Sequence, residues 1–214
     1  MPGKLTYFAL GGRAEPIRAL LHLANHEFED NRVTQDDLNT MRDSLPLGSL
    51  PIWEEDGVTI AQSTAILRML GIRHGMYTTD ANTAWEIDSL LDFMEENFND
   101  MNTYSLKPIF GAPVEEADKH KFEGYFDKMI PFLNARLENH DKKWIAGTDN
   151  ITIADLKVYQ GLVMILEIES NPAPHEDKEA VRAKIAETSK LQNYLRELTA
   201  HMQPWLAARV PTPI

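Results

Sequence analysis

The hydrophobic pattern of this chain changes period near residue 82, and that change limits the folds open to it. Before it, short apolar runs alternate with turn chemistry. Residues 4–8 alternate as a half-buried strand does. From Glu15 the spacing switches. Ile17, Leu20, Leu21 and Ala24 fall at i, i+3, i+4 and i+7, one face of a helix. Pro16 suits the first turn of that helix, where its missing N–H costs nothing. Residues 26–33, with Phe28 and Val33, read as a weaker strand, and 34–42 as a short polar helix capped by Thr34. Residues 50–61 read as a hairpin around the turn dipeptide Asp56-Gly57. The helix over 62–71 then has Ser63 at its cap and Gly71 as its stop.

The order strand, helix, strand, helix, hairpin, helix is βαβ followed by ββα. It is compatible with a four-stranded mixed sheet covered by helices. Residues 74–82 are polar and irregular and read as a linker. Beyond them strand signals stop. Ile87, Leu90, Leu91, Met94, Phe98 and Met101 keep helical spacing over successive turns, as do Phe122, Phe126, Met129, Ile130, Leu133 and Leu137. A long apolar helix opens after Thr152-x-x-Asp155, a capping pattern with a structural role. The tail from 178 to 209 is again helical in pattern. The expectation is a small α/β domain over 1–73, a linker over 74–82 and an all-helical domain over 83–214.

Composition removes several chemistries. The 214 residues include no cysteine, so disulfides, thiolate metal sites and a nucleophilic cysteine are excluded. His22, His26, His74, His120, His140, His175 and His201 show no metal-ligand spacing, and no metal is expected. A formal charge of −12 disfavours nucleic acid and anionic membrane surfaces as partners. No apolar run approaches the ~20 residues that cross a bilayer. The N-terminus runs directly into a strand, without the pattern of a secretory signal. A cytoplasmic protein is expected.

Three pairs of residues allow both a plain and a functional reading. Leu50-Pro51 opens the hairpin strand. The proline is either an ordinary trans strand-opener or a cis residue that turns the Leu50 N–H and C=O outward for an extended peptide. Gln62-Ser63 is either a simple helix cap or a carboxylate site at a helix N-terminus, where unpaired N–H groups carry partial positive charge. Tyr7 and Arg13 are either a strand aromatic and a solvated charge or, with the other pairs, parts of a groove for a small acidic peptide.

The segments "KLTYF", "GGRAEPIR", "LPLGSLPIWEEDGVTIAQSTAILRML" and "GTDNITIADLKVY" together resemble the cytosolic glutathione transferases, most of all the sigma class, which includes glutathione-dependent prostaglandin D synthases. The resemblance covers nearly the whole chain and is strongest over 4–71. It implies a thioredoxin-like N-terminal domain, an all-α C-terminal domain, a homodimer, and glutathione as co-substrate beside a small hydrophobic electrophile. Position by position, it makes Tyr7 the catalytic hydroxyl and Leu50, held by a cis bond to Pro51, the backbone partner of the glutathione cysteine. Gln62 and Ser63 would bind the γ-glutamyl end, and Arg13 would support charge around the thiol. Arg42 takes the place of a lysine for the glycine carboxylate. Glu96 of the partner subunit, with Asp92 as a fallback, would meet the γ-glutamyl amine. Phe8, Leu10, Met101 and Tyr104 are candidates for the hydrophobic substrate pocket. Leu38 and Ser49 depart from the family's usual tryptophan and longer polar residue.

The resemblance also explains why no cysteine is needed: the ligand brings the thiol. A thiol of pKa ~8.5 is only a few per cent ionised at pH 7, and the thiolate is the nucleophile. The implied activity is transfer of glutathione to electrophiles, with peroxidase side activity. A glutathione-dependent isomerase, or a non-enzymatic crystallin-like relative, stands as the alternative.

Overall fold

The computed structural model describes residues 2–167, 171 and 173–212, with the backbone alone at Met101 and Phe110. Alternation over the first segment produces β1 (Gly3–Phe8), which buries Leu5 and Tyr7. β1 pairs in parallel with β2 (Phe28–Val33) and antiparallel with β3 (Ile52–Glu55), and β3 turns back into β4 (Val58–Ala61). The sheet order is β2-β1-β3-β4. Asp56 and Gly57 close the hairpin, both at positive φ, as a tight primed turn requires.

The helix α1 (Glu15–Leu23) has Pro16 in its first turn and fully buries Ile17, Leu20 and Leu21. The short helix α2 (Gln35–Met41) is fixed by a reciprocal capping box between Thr34 and Asp37. The helix α3 (Ser63–Arg73) differs from expectation at both ends. Its cap is Gln62, at φ 77° and with no side-chain capping bond, and Ser63 is the first helical residue. Gly71 is buried inside the helix rather than ending it. A Cβ there would lie 2.7 Å from Ile153 Cγ2. The absent side chain serves a close approach between halves of the chain, not a stop.

The second half starts with α4 (Ala81–Glu96), whose first turn is capped by Asp80 through Thr83 N at 2.8 Å. The apolar spacing from Ile87 to Met101 is not one helix. Asn97 leaves helical geometry, its Nδ2 donates to Phe93 O at 2.8 Å, and α5 (Phe98–Leu106) begins after it. Then come α6 (Glu116–Glu138), α7 (Ile153–Val158), a π-type turn over Tyr159–Val163, α8 (Met164–Glu167), α9 (His175–Ala186) and α10 (Ser189–Ala208).

Asp155 and Thr152 form the capping box of α7. The Asp155 carboxylate also accepts from Ile145 N at 3.0 Å and Tyr194 Oη at 2.9 Å. A single apolar core runs through both halves, joining Leu5, Ile17, Leu20 and Ile66 to Leu90, Leu133, Ile153 and Leu156. Burying each such side chain contributes about 1.5–3 kcal/mol. The core therefore ties the sheet to the helices.

Candidate active site

Residues distant in sequence meet where the end of β1, the start of α3 and the C-terminal turn of α4 approach one another. Arg13, Ser49, Leu50, Pro51, Gln62 and Ser63 line a cleft of about 260 Å³, and Glu95 joins them from α4. The Leu50-Pro51 bond is cis. The β1–β3 register begins with Thr6 opposite Ile52, so Leu50 stands outside it. At the start of α3, Gln62 makes no side-chain cap, so the first-turn N–H groups lack that acceptor.

Tyr7 is 7% exposed. Its hydroxyl oxygen accepts a hydrogen bond from the backbone N–H of Arg13 at 3.2 Å. Burial raises the pKa of this hydroxyl above the ordinary tyrosine value, against the lowering effects of that hydrogen bond and of the Arg13 and Arg18 charges. Gly12 gives the hydroxyl room: a Cβ there would lie 2.7 Å from Tyr7 Oη. The turn itself is pinned by Arg18, a buried arginine that donates to Leu10 O at 2.7 Å and to both oxygens of Asp30.

The Arg13 side chain meets residues of the helical half. Its guanidinium pairs with Glu95 and lies over the Phe98 ring, 4.1 Å from the centroid. Glu95 also accepts from Thr64 Oγ1 at 3.4 Å and lies 3.7 Å from the ammonium of Lys157. Lys157 is 2% exposed on α7, and its Nζ donates to Gln160 Oε1 at 3.1 Å. Burial, followed by the Arg13 charge, pushes Lys157 down to about 7, while Glu95 pulls the other way. Gln160 in turn donates through Nε2 to the carbonyl oxygen of Gly12.

The remaining expected residues lie apart from this cleft. Arg42 is exposed and donates to Gly48 O at 2.9 Å, just ahead of Ser49. Leu38 is buried in a small cluster with Leu45 and Ile52, against which Leu50 packs. Asp92 and Glu96 are exposed on α4. Phe8 and Leu10 are half-buried against the core. Tyr104 is buried instead of open: its hydroxyl donates to Asp177 at 2.5 Å and its ring meets Phe122. The Met101 side chain lies outside the described residues.

Sequence reasoning missed Glu95, Lys157 and Gln160. Two of the three carry a signal in their setting, since Lys157 and Gln160 interrupt an otherwise apolar run over 156–166, whereas Glu95 has none. Among the described residues, no group of three or more acidic or histidine side chains stands ready to hold a metal, and no helix is long and apolar enough to cross a membrane.

Comparison with known proteins gives the same frame. Residues 3–71 match the glutathione S-transferase N-terminal domain and residues 99–197 the glutathione S-transferase C-terminal domain. "Glutathione S-transferase 1" of Ascaris suum is 31% identical over 221 residues, covering 98% of each chain. "Glutathione S-transferase 3" of Caenorhabditis elegans is 30% identical, covering 90% of this chain and 94% of that one. The glutathione S-transferase structure from Ascaris lumbricoides superposes with a TM-score of 0.81 at 24% identity, covering 99% of both chains. Rat hPGDS complexed with a quinoline superposes with a TM-score of 0.75 at 21% identity, covering 99% of both, a likeness of fold. The chain belongs to the glutathione S-transferase family of enzymes. Its βαβ-ββα sheet domain and helical second half are that family's architecture.

Proposed function

We propose that this chain is a sigma-class glutathione transferase that activates the glutathione thiol with the Tyr7 hydroxyl for attack on small hydrophobic electrophiles. The observation that carries the reading is the Arg13 N–H bond to Tyr7 Oη. A phenolic oxygen has acceptor lone pairs and one proton to donate. Here the backbone uses an acceptor position, which leaves the proton for a sulfur in the cleft. Burial keeps that proton on Tyr7 at neutral pH.

A charge-assisted hydrogen bond contributes about 1.5–3 kcal/mol. At ~1.4 kcal/mol per pKa unit, that lowers the thiol by one or two units. The thiolate then forms a bond to the electrophilic carbon, whose leaving group departs with the old bonding pair. In this reading the γ-glutamyl carboxylate sits at the N-terminus of α3 beside Gln62 and Ser63. The peptide of the cysteine pairs with Leu50 ahead of Pro51. Arg42 lies toward the glycine carboxylate. The enzyme works in the cytoplasm as a homodimer in which Glu96 of one subunit meets the γ-glutamyl amine bound by its neighbour.

The test is retention on immobilised glutathione followed by conjugation of 1-chloro-2,4-dinitrobenzene. Retention with elution by free glutathione, and turnover dependent on glutathione, are expected. Failure of both would remove the reading.

A further inference from the structure

We propose that Gln160, held in place by Lys157, is a positioning residue for the thiolate chemistry, bracing the Gly12–Arg13 peptide so that its N–H stays aimed at Tyr7 Oη. The inference rests on the reading of Tyr7 given above and extends it to the helical half of the chain.

The carbonyl of Gly12 and the N–H of Arg13 are two ends of one planar peptide group. At one end the oxygen accepts from Gln160 Nε2; at the other the N–H donates to Tyr7 Oη at 3.2 Å. Hydrogen bonds in series polarise one another, so a donor on the oxygen strengthens the N–H as a donor. The direction of the N–H matters as much. The turn carries two successive glycines, and Gly12 sits at φ 44°. Glycine backbone rotates at low cost, and a 3.2 Å bond weakens steeply as its angle closes. An external brace on this peptide therefore has something to fix.

Gln160 meets the requirements of a brace. It is 5% exposed, and both ends of its amide are committed. Gly12 O only accepts, so the amide turns Nε2 toward it, which leaves Oε1 to accept from Lys157 Nζ. Lys157 is anchored in turn by Glu95, the carboxylate that also pairs with the Arg13 side chain. Arg13 is thus held twice from the helical half, at its backbone through Gln160 and at its guanidinium through Glu95. Gln160 lies within the π-type turn Tyr159–Val163, a helix irregularity that frequently accompanies functional sites.

The experiment compares Gln160→Leu and Gln160→Glu with the unmodified enzyme. Glu is nearly isosteric and keeps a partner for Lys157, but as a carboxylate it has no N–H for Gly12 O. Bound glutathione is titrated by its thiolate ultraviolet absorbance, with kcat and KM measured across pH and stability by denaturation. Both variants are expected to raise the titration midpoint of the bound thiol by about half a unit to one unit and to lower kcat below that midpoint by about three- to tenfold. KM for glutathione should stay within about twofold, because Gln160 is not among the residues lining the cleft. In a Tyr7→Phe background Gln160→Leu should add no further shift. A shift with Tyr7→Phe but none with either Gln160 variant would overturn the inference and leave the Tyr7 reading standing. A Gln160 shift that persists without the Tyr7 hydroxyl would also overturn it. No shift with Tyr7→Phe itself would instead remove the reading on which it rests. If Gln160→Leu does not fold, the Gln160→Glu titration decides.

Discussion

The carboxylate of Glu15, in the first turn of α1, accepts a hydrogen bond from the indole N–H of Trp205 on α10 at 2.9 Å. The same oxygen accepts from Arg209 Nε at 2.9 Å, and Glu15 is 2% exposed. One buried anion thus ties the first helix to the last.

Removing that anion leaves a buried cation and a buried indole N–H without their partner. Breaking a buried pair from one side costs about 3–5 kcal/mol. Glu15→Ala is therefore expected to lose about that much stability in urea denaturation, and Glu15→Gln, which keeps an acceptor, distinctly less. Equal losses from the two variants would count against the charge as the cause.

Tyr7→Phe should leave glutathione binding nearly intact and cut conjugation by about ten- to a hundredfold, the size of one charge-assisted hydrogen bond. The spectroscopic midpoint of the bound thiol should rise in parallel. An unchanged midpoint would rule out Tyr7 as the thiolate's donor.

At Asp155 two oxygens serve four donors, from Ile145, Thr152 (twice) and Tyr194. Thr152→Ala removes only a cap and should cost about 0.5–2 kcal/mol. Asp155→Ala strands donors on three segments and should cost more, about 2–5 kcal/mol. Activity per folded molecule should persist in both. Chemical denaturation beside active-site titration checks the order, and a folded but inactive Asp155→Ala protein would mean a catalytic role.

Lys157 gives a pH signature. Its folded-state value is depressed to about 7 from an ordinary 10.5. Between those values the unfolded chain holds one more proton than the folded one, so this group makes stability rise with pH there, by at most about 1.4 kcal/mol per unit. Below about 7 both states are protonated and the slope from this group ends. The unmodified protein should therefore show a steeper rise from pH 7 to 10 than Lys157→Met, measured by denaturant midpoints. Parallel profiles would place Lys157 near its ordinary value, with Glu95 outweighing burial.

Glu96 is exposed on α4, and the proposed homodimer would bring it to the glutathione of a neighbouring subunit. Mixed dimers of Glu96→Gln and Tyr7→Phe subunits carry both lesions in one site and neither in the other if sites are shared. Activity above either parent is then expected. No recovery, with the mixed dimer verified by native mass spectrometry, would exclude the cross-subunit contact.

Local rules carried much of the fold into view. Thr34, Thr152 with Asp155, and Asp56-Gly57 each announce an element by chemistry acting over three residues or fewer, so sequence alone exposes them. Gly71 misled because a glycine near a helix end looks the same whether it terminates the helix or admits Ile153 across the fold. Asn97 was invisible for a related reason: the apolar stripe continues in phase through a residue whose side chain shares the Phe93 carbonyl with its own backbone N–H. In the site, Tyr7, Arg13, Pro51, Gln62 and Ser63 stood out by resemblance. Glu95 and Gln160 did not, because their importance lies in partners 82 and 148 residues away.

The contact at Gly71 carries a consequence for inheritance. Ile153 fills the space that any side chain at 71 would take, so the two positions have to change together. Gene fusions that join the first half of one relative to the second half of another would inherit one side of this contact without the other. Such hybrids should assemble well only when the pair at 71 and 153 is transplanted as a unit. The halves of this enzyme are distinct in pattern, but they are not interchangeable parts.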